Sequence, residues 1–183
     1  QAAATSAAML PGRFFLGVGT GENLNEHVLG QRWPATHVRR EMLDEAVAVM
    51  RLLWTGRLES HRGRYLTVEN ARIYTRPATA PDIYISGFGP LAAALAGRIG
   101  DGFISTTPDE DAIKVFRDNG GAGKPMQAGY KVCWGLDDDA CVKIAHELWA
   151  NSGVPGELSQ VLPSPAHFEQ VSSLVTEEMT RDS

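Results

Sequence analysis

The sequence is poor in cysteine and in basic residues, and it has no long apolar run. Its 183 residues include two cysteines, Cys133 and Cys141, too few for the disulfide framework of a secreted domain, so we expect reduced thiols and a cytoplasmic protein. The 17 basic residues are outnumbered by 22 acidic ones, and the net charge of −5 argues against a nucleic-acid partner. No apolar stretch approaches the roughly 20 residues that cross a bilayer, so we expect no membrane partner.

Neither end of the sequence has the features of a complete chain. Residue 1 is glutamine rather than methionine, and residues 1–10 predict a helix that is already under way. Near the other end, apolar residues at helical spacing predict one face of a further helix: Phe168, Val171, Leu174, Val175 and Met179. We therefore expect a fragment, although a processed or trimmed terminus would give the same pattern.

Between the ends, short apolar runs alternate with amphipathic stretches. Strands are predicted at 14–19, 82–86, 102–105 and 126–134, the first of them buried on both faces. Helices are predicted at 2–10, 38–54, 90–99, 109–119 and 138–149, with a last one starting at 164. Apolar spacing predicts a buried stripe on two of these helices: Met42, Ala46, Val49, Met50 and Leu53 on one, and Cys141, Ile144, Ala145 and Leu148 on the other.

This alternation predicts an α/β protein whose parallel sheet is covered by helices. Residues 60–74 interrupt the alternation and predict a small two-stranded excursion. Two architectures fit: a doubly wound open sheet, or part of an eight-stranded (β/α) barrel. A complete barrel needs about 250 residues, so this chain could hold only about half of one.

In both architectures, ligands bind beyond the carboxyl ends of the strands. Small residues follow the predicted strands: Gly19–Gly21 after the first, Gly87–Gly89 after the second, Thr106 and Thr107 after the third, and Gly135 after the fourth. Glycines there allow backbone amides to approach a ligand closely, but they are also ordinary turn residues. Both interpretations remain open on the pattern alone.

Glu22 is the residue of greatest chemical interest, because it follows a fully apolar strand on a segment rich in glycine. A carboxylate held at the mouth of an apolar sheet loses hydration, which favours uptake of a proton and suits proton transfer. The alternative is a solvated loop glutamate, and the spacing does not exclude it.

Several familiar motifs are incomplete. Gly17, Gly19 and Gly21 do not form a dinucleotide fingerprint, because position 22 is glutamate where that fingerprint needs glycine. The run at 120–125 lacks the first glycine and the final hydroxyl residue of a P-loop, so we expect a flexible surface turn there. The five histidines do not have the spacing of metal ligands, so we expect no metal site.

Four stretches together resemble the luciferase-like enzymes, and among these the deazaflavin-dependent group that includes glucose-6-phosphate dehydrogenase. They are GRFFLGVGTGENLNE at 12–26, RLLWTG at 51–56, DIYISGFGP at 82–90 and AGRIGDGFI at 96–104. Their order and spacing agree with the family over nearly the whole chain.

The resemblance implies a (β/α)8 TIM barrel of the bacterial luciferase-like type, with strands 4–7 in a single partial domain over residues 1–183. It implies that the full-length protein transfers hydride between coenzyme F420, an 8-hydroxy-5-deazaflavin, and a small-molecule alcohol or carbonyl substrate, whereas we expect the fragment by itself to be inactive. It also leads us to expect a homodimer. Glu22 matches the active-site carboxylate of the family. Asn25 and the turn of Gly87 and Gly89 match cofactor-contacting residues, and Thr106 matches a substrate-contacting threonine.

Two departures from the sugar-phosphate enzyme bear on the substrate. Phe88 replaces a second glycine, and Asp109 aligns with a phosphate-binding lysine, where its negative charge would repel a phosphate. We therefore expect a neutral alcohol or carbonyl substrate rather than glucose 6-phosphate. The catalytic histidine of the family would precede residue 1.

Three alternatives stay open. The first is an FMN-dependent monooxygenase of the same class. The second is a catalytically incomplete piece that only self-associates through its open strand edges. The third is a complete doubly wound domain that binds a nucleotide.

Overall fold

The computed structural model describes residues 1–154 and 156–181, which include six strands. These are β1 (Leu16–Val18), β2 (Glu59–Arg62), β3 (Thr67–Ala71), β4 (Ile83–Ser86), β5 (Gly102–Ser105) and β6 (Met126–Ala128). The helices of the described residues are α1 (Ala2–Met9), α2 (Asn23–Glu26), α3 (Thr36–Trp54), α4 (Pro90–Ile99), α5 (Glu110–Phe116), α6 (Asp138–Trp149), α7 (Leu158–Val161), α8 (Pro165–Ser172) and α9 (Glu177–Arg181).

The main sheet is parallel, with the strand order β1-β4-β5-β6. Its register pairs Gly17 with Tyr84, Ile85 with Phe103, and Ile104 with Gln127. Helices lie between the successive strands in the sequence, so the predicted α/β class with a parallel sheet is confirmed. Closure of an eight-stranded barrel stays a prediction.

The chain divides into two compact units. The first unit comprises Gln1–Thr20 and Ala35–Tyr130, and the second comprises Gly21–Pro34 and Lys131–Ser183. The first unit holds both sheets, because β2 and β3 pair there as an antiparallel hairpin that begins at Glu59, one residue before the predicted excursion. The second unit holds α2 and α6 to α9. Each unit is described separately below.

The core of the first unit lies between the main sheet and the helices α1, α3, α4 and α5. Ile83, Ile85 and Phe103 supply its strand side, and Phe116 supplies part of its helix side. The Phe103 and Phe116 rings stack with centroids 5.1 Å apart, an arrangement that adds about 0.5–1.5 kcal/mol to the burial of the rings. This core holds the ends of β4 and β5 in place.

The helix α4 has the bounds that the sequence predicts. Pro90 occupies its first turn, where the missing N–H costs nothing, and Gly100 follows its last residue. Its alanines Ala93 and Ala96 are fully buried. The small side chains allow the helix to pack closely on the sheet.

The helix α3 confirms the predicted stripe only in part: Val49 is buried and Met50 packs against the core, but Leu43 and Val47 were not predicted. Its buried residues are Arg39, Leu43, Val47, Val49 and Trp54, whereas Met42 is exposed. Apolar residues run almost all round the second half of this helix, so spacing alone did not indicate which side faces the core. The packing of Leu43 and Val47 in the core decides the orientation.

The prediction that β1 is buried on both faces is wrong. Leu16 and Val18 are only half-buried, and Gly17 is exposed. The reason is position, since β1 is the end strand of the described sheet and pairs with β4 alone. Phe15, just before the strand, stacks on Tyr84 with ring centroids 4.4 Å apart.

The predicted strand at 126–134 is also too long. The strand β6 ends at Ala128, and the N–H of Gly129 donates to the carbonyl of Ser105, the last residue of β5. The ladder ends there because its partner strand ends there. Beyond it Tyr130, Val132 and Trp134 are exposed.

The glycine-rich turn at 120–125 is anchored through Lys124, a contact that its local composition does not indicate. Its flexibility stays a prediction. The Lys124 ammonium donates to the carbonyls of Gly97 and Gly100, at 2.7 and 2.8 Å. These carbonyls belong to the C-terminal end of α4, where a cation is favoured by the helix dipole. A π-helical turn, Arg117–Gly121, connects α5 to the segment that Lys124 anchors. The helix predicted at 109–119 is therefore too long, because α5 ends at Phe116.

In the second unit, the predicted apolar stripe of α6 does not become a core. Ile144 and Leu148 are exposed, and α6 contains no buried residue in the part of the chain that is described. The last predicted helix divides into α8 and α9. Of its predicted stripe, Val175 is buried, whereas Leu174 and Met179 are exposed.

No described helix combines the length and the apolar character that crossing a membrane requires.

Candidate active site

The first unit brings three of the predicted site residues to one edge of its sheet. Gly87 and Gly89 follow β4, and Thr106 follows the neighbouring strand β5. The N–H of Gly87 donates to the carbonyl of Ile104 at 3.2 Å, so the turn continues the register of the two strands. This is the carboxyl edge, where parallel sheets bind their ligands.

The two glycines of this turn lack a side chain for different reasons. A Cβ added to Gly87 would lie 2.6 Å from the Cβ of Ala92, so this position is filled by α4 itself. A Cβ added to Gly89 would meet no atom within 4 Å. Gly87 is therefore required for the packing of the turn on the helix, whereas Gly89 faces open space in which a ligand could lie against the backbone.

Gly89 is also the N-cap of α4. It has no side chain to bond the first-turn N–H groups, which have no partner inside the helix. Pro90 follows at the first helical position, and the carbonyl of Gly89 accepts the N–H of Ala93 at 2.9 Å. The free N–H groups and the positive end of the helix dipole favour a ligand with oxygen acceptors or negative charge.

Thr106 and Asp109 lie after β5. Thr106 is exposed, so its hydroxyl is accessible to a ligand. The Asp109 carboxylate accepts the N–H groups of Asp111 at 2.9 Å and of Ala112 at 3.1 Å, which makes it the N-cap of α5. Asp109 therefore stabilises a helix.

The second unit contains the other two predicted residues in a single turn. Glu22 is the N-cap of α2, and its carbonyl accepts the N–H of Asn25 at 3.0 Å and of Glu26 at 3.1 Å. The side chains of Glu22 and Asn25 are both exposed. The expectation that the Glu22 carboxylate loses hydration at the mouth of the sheet is therefore wrong for the described structure. The segment presents a carboxylate and an amide at one end of a short helix.

Glu22 lines a cavity of about 530 Å³ within the second unit. Apolar walls come from Leu24, Leu148 and Phe168, together with Pro165. The remaining lining residues are polar or small: Glu147, Ala150, Asn151, Ser159, Glu169 and Ser172. Its described lining has three carboxylates and neither lysine nor arginine, so it is a poor environment for a phosphate and accommodates a neutral or apolar group.

Three residues that line this cavity were not predicted from the sequence: Glu147, Phe168 and Glu169. Each belongs to a helix, and helical spacing shows which residues share a face but not which loop that face meets. These residues lie more than a hundred positions after Glu22 in the sequence, so no local pattern indicates that they line the same cavity.

The two cysteines lie together in the second unit. Burial raises the pKa of the Cys141 thiol, and the neighbouring Cys133 sulfur raises it further. A thiol with a raised pKa stays protonated at neutral pH and is a poor nucleophile. Cys133 is half-buried outside any strand, so it is partly packed, although the strand predicted for it does not form.

The predicted site residues are thus divided, with Glu22 and Asn25 in the second unit and Gly87, Gly89 and Thr106 in the first. Their assembly into a single site stays a prediction. Within residues 1–154 and 156–181, no three histidine, cysteine or acidic side chains cluster as metal ligands would.

Comparison with known proteins adds family-level findings. The sequence profile of the luciferase-like monooxygenase family matches residues 1–175. An F420-dependent glucose-6-phosphate dehydrogenase from Nakamurella multipartita is 50% identical over 107 residues, which cover 58% of this chain and 32% of that protein. The enzyme of the same description from Segniliparus rotundus is 34% identical over 194 residues, covering 97% of this chain and 57% of its own length.

A solved structure is similar over nearly the entire chain. It is an F420-dependent secondary alcohol dehydrogenase in complex with an F420-acetone adduct, 31% identical, with a TM-score of 0.86. The match covers 99% of this chain and 58% of that one. The chain therefore spans between a third and three fifths of the length of these relatives.

Proposed function

The chain belongs to the luciferase-like monooxygenase family, and from that membership we propose an oxidoreductase that transfers hydride between coenzyme F420 and an alcohol or carbonyl substrate. The observation that carries the proposal is the likeness, over 99% of the chain, to an F420-dependent secondary alcohol dehydrogenase. The F420-dependent relatives of two further species agree with it.

The residues present fit a flat cofactor at the carboxyl edge. The open space in front of Gly89 leaves its backbone accessible, and the first-turn N–H groups of α4 offer donors there. We propose that Gly89 and Asn25 hold the cofactor, with Gly87 shaping the turn. When bound, the deazaflavin supplies or accepts the hydride.

The other residues position groups and move a proton. We propose that a Glu22 carboxylate oxygen takes up or releases the proton that accompanies hydride transfer. The Glu22 side chain is exposed in the described structure, so the loss of hydration that favours proton uptake depends on what binds over it. The Thr106 hydroxyl orients the substrate oxygen by a hydrogen bond.

The substrate that we propose is a neutral alcohol or carbonyl compound rather than a sugar phosphate. Asp109 uses its carboxylate to cap α5 and keeps a negative charge after β5. Within the second unit, the cavity that Glu22 lines also contains the carboxylates of Glu147 and Glu169. Both features disfavour a phosphate dianion.

Cofactor choice tests the proposal. Fluorescence titration of the purified protein with F420 and with FMN is expected to give the lower dissociation constant for F420. Equal or tighter binding of FMN would instead assign the protein to the FMN-dependent monooxygenase branch of the same class.

Reduction of F420 in the presence of a secondary alcohol or of glucose 6-phosphate tests the substrate. We expect the full-length enzyme to turn over the alcohol and to give little or no turnover with the sugar phosphate. A homodimer also stays a proposal, and light scattering on the same sample separates a dimer from open-ended self-association and from a monomer.

A further inference from the structure

We propose that Asn23 is a positioning residue that holds Glu22 at the cavity through a hydrogen bond to the carbonyl of Val161. The Asn23 side-chain amide donates to this carbonyl at 2.8 Å, across 138 positions in the chain. The inference rests on the proposed role of Glu22 in proton transfer.

The segment that carries Glu22 is weak when considered alone. The helix α2 has four residues, Asn23–Glu26, and none of them is buried. A single helical turn is unstable in water without tertiary contacts, because few hydrogen bonds repay the ordering of its backbone. A long-range hydrogen bond at the first residue of this turn therefore has a large influence on where the turn lies.

The bond acts directly on the backbone of Glu22. Asn23 is the next residue, and Glu22 itself has extended dihedrals, φ −135° and ψ 140°, as the N-cap. The Glu22 side chain is exposed, so its backbone placement, which sets the direction of the Cα–Cβ bond, is the constraint on where the carboxylate can reach. Fixing Asn23 fixes one side of that backbone, and the carbonyl of Glu22 is fixed by the N–H groups of Asn25 and Glu26.

The acceptor is suited to this function. Val161 is the last residue of α7, and the carbonyls of a last turn have no partner inside their helix. The negative end of the helix dipole adds to their attraction for a donor. The carbonyl of Asn23 in turn lies 2.9 Å from Nδ1 of His27, so Asn23 is held at both its side chain and its backbone.

The test replaces the donor without changing the shape of the side chain. Asn23→Asp is isosteric, and its carboxylate cannot donate to Val161 at neutral pH. We expect amide hydrogen exchange of Asn25 and Glu26, which donate to the Glu22 carbonyl, to become about tenfold faster. We expect kcat for F420 reduction to fall about tenfold with little change in KM, since small misplacement of a catalytic group lowers the rate strongly.

A matched control is available in the first unit. The Asn119 side-chain amide donates to the carbonyl of Val115 at the same distance, 2.8 Å, at the end of α5. Asn119→Asp removes an equivalent hydrogen bond at a position that we do not assign to the site, so it should leave kcat and the exchange of Asn25 and Glu26 unchanged.

Two further variants compare loss and retention of the amide donor. Asn23→Ala removes the donor, and Asn23→Gln keeps one. We expect Asn23→Gln to retain at least half of the turnover that Asn23→Ala loses.

Each outcome decides the inference. Faster exchange together with lower kcat in Asn23→Asp, and neither in Asn119→Asp, supports it. Unchanged exchange, or faster exchange with unchanged kcat, overturns it while leaving the proposed function intact. If Asn23→Asp does not fold, the Asn23→Ala and Asn23→Gln pair makes the same comparison. If the unmodified protein does not turn over F420, the proposed function fails first and the inference fails with it.

Discussion

The Glu45 carboxylate on α3 lies 2.9 Å from Nε2 of His61 in the hairpin of β2 and β3. The same carboxylate accepts the backbone N–H groups of Tyr65 and Leu66, each at 2.9 Å. One turn earlier on α3, Glu41 accepts the Tyr65 hydroxyl and Arg64. Two carboxylates on one face of α3 thus attach the hairpin to the helix.

This attachment predicts a loss of stability in acid. The hydrogen bond from His61, followed by those from Leu66 and Tyr65, lowers the pKa of Glu45, and the Tyr65 hydroxyl and then Arg64 lower the pKa of Glu41. A carboxylate whose folded pKa is lowered contributes stability above its ordinary pKa, about 4.3 for glutamate. That contribution is lost as the pH falls through the lowered value.

Urea unfolding at a series of pH values measures this effect. The free energy of unfolding is expected to fall as the pH decreases below about 4.3, and Glu45→Gln is expected to make the fall shallower. Tyr65→Phe removes the hydroxyl bonded to Glu41 and should reduce the remaining dependence. An equally steep fall in Glu45→Gln would show that other carboxylates cause the acid sensitivity.

The two glycines of the 87–89 turn predict opposite results from the same substitution. Gly87→Ala places a methyl group 2.6 Å from the Cβ of Ala92, and overpacking of this kind costs about 1–3 kcal/mol of stability. Gly89→Ala meets no atom within 4 Å and should leave the unfolding temperature unchanged. If the cofactor backs onto Gly89, the added methyl group raises the F420 dissociation constant about tenfold, or about 1.4 kcal/mol.

Calorimetric unfolding and fluorescence titration of both variants separate the two effects. Normal F420 binding by a stable Gly89→Ala protein would remove Gly89 from the proposed site.

Glu22→Gln is expected to lower turnover without affecting the fold. An amide of the same size cannot exchange a proton as a carboxylate does, and general acid–base groups contribute about 10²- to 10⁴-fold to rate. Glu22 is exposed, so its replacement removes no core contact. Steady-state F420 reduction and thermal unfolding are the two measurements.

Glu26→Gln, at the other end of α2, is the matched control for charge. It should retain turnover, because Glu26 is not among the proposed site residues. Equal losses in the two variants would indicate a general effect of negative charge on this segment rather than a specific role for Glu22.

Lys124→Met is expected to destabilise the first unit. The change leaves two carbonyls at the end of α4 without their charged donor, and loss of hydrogen bonds to a charged group costs about 1.5–3 kcal/mol. Lys114→Met is the control, since Lys114 pairs with Asp118 on an exposed helix surface and should contribute little. Chemical unfolding measures the free energy of unfolding of both variants. Equal values would show that the hydrogen bonds of Lys124 to α4 contribute no more than the exposed Lys114 pair.

The sequence carries enough information for the order of elements in the first unit. Short apolar runs between glycines indicated β4 and β5, and Pro90 with Gly100 marked the ends of α4, since these signals act through local backbone chemistry. The anchoring of the glycine-rich turn had no such local signal. The carbonyls that Lys124 binds lie 24 and 27 residues earlier, so its local composition indicated flexibility.

In the second unit and at the sheet edges, burial and strand length depend on which segments pack or pair together. Local spacing does not specify those partners. The apolar alternation of 130–134 is typical of a strand, but β5 ends before it and offers no ladder to join. The stripe on α6 correctly indicated a helix, but Ile144 and Leu148 are exposed. Among the site residues, neither the helical turn that joins Glu22 and Asn25 nor the cavity around Glu22 was predicted, and the cavity requires tertiary contacts.

The capping of α5 by Asp109 constrains how specificity could be altered. Introducing a lysine there, to attract phosphorylated sugars, would also remove the acceptor for the N–H groups of Asp111 and Ala112, at a cost of about 1 kcal/mol. A substitution at Asp109 that changed the proposed alcohol substrate to a sugar phosphate would therefore give a less stable protein. A new cap for α5 would have to be acquired first to avoid this loss. Stabilising substitutions elsewhere in the chain should make that exchange easier to select in the laboratory.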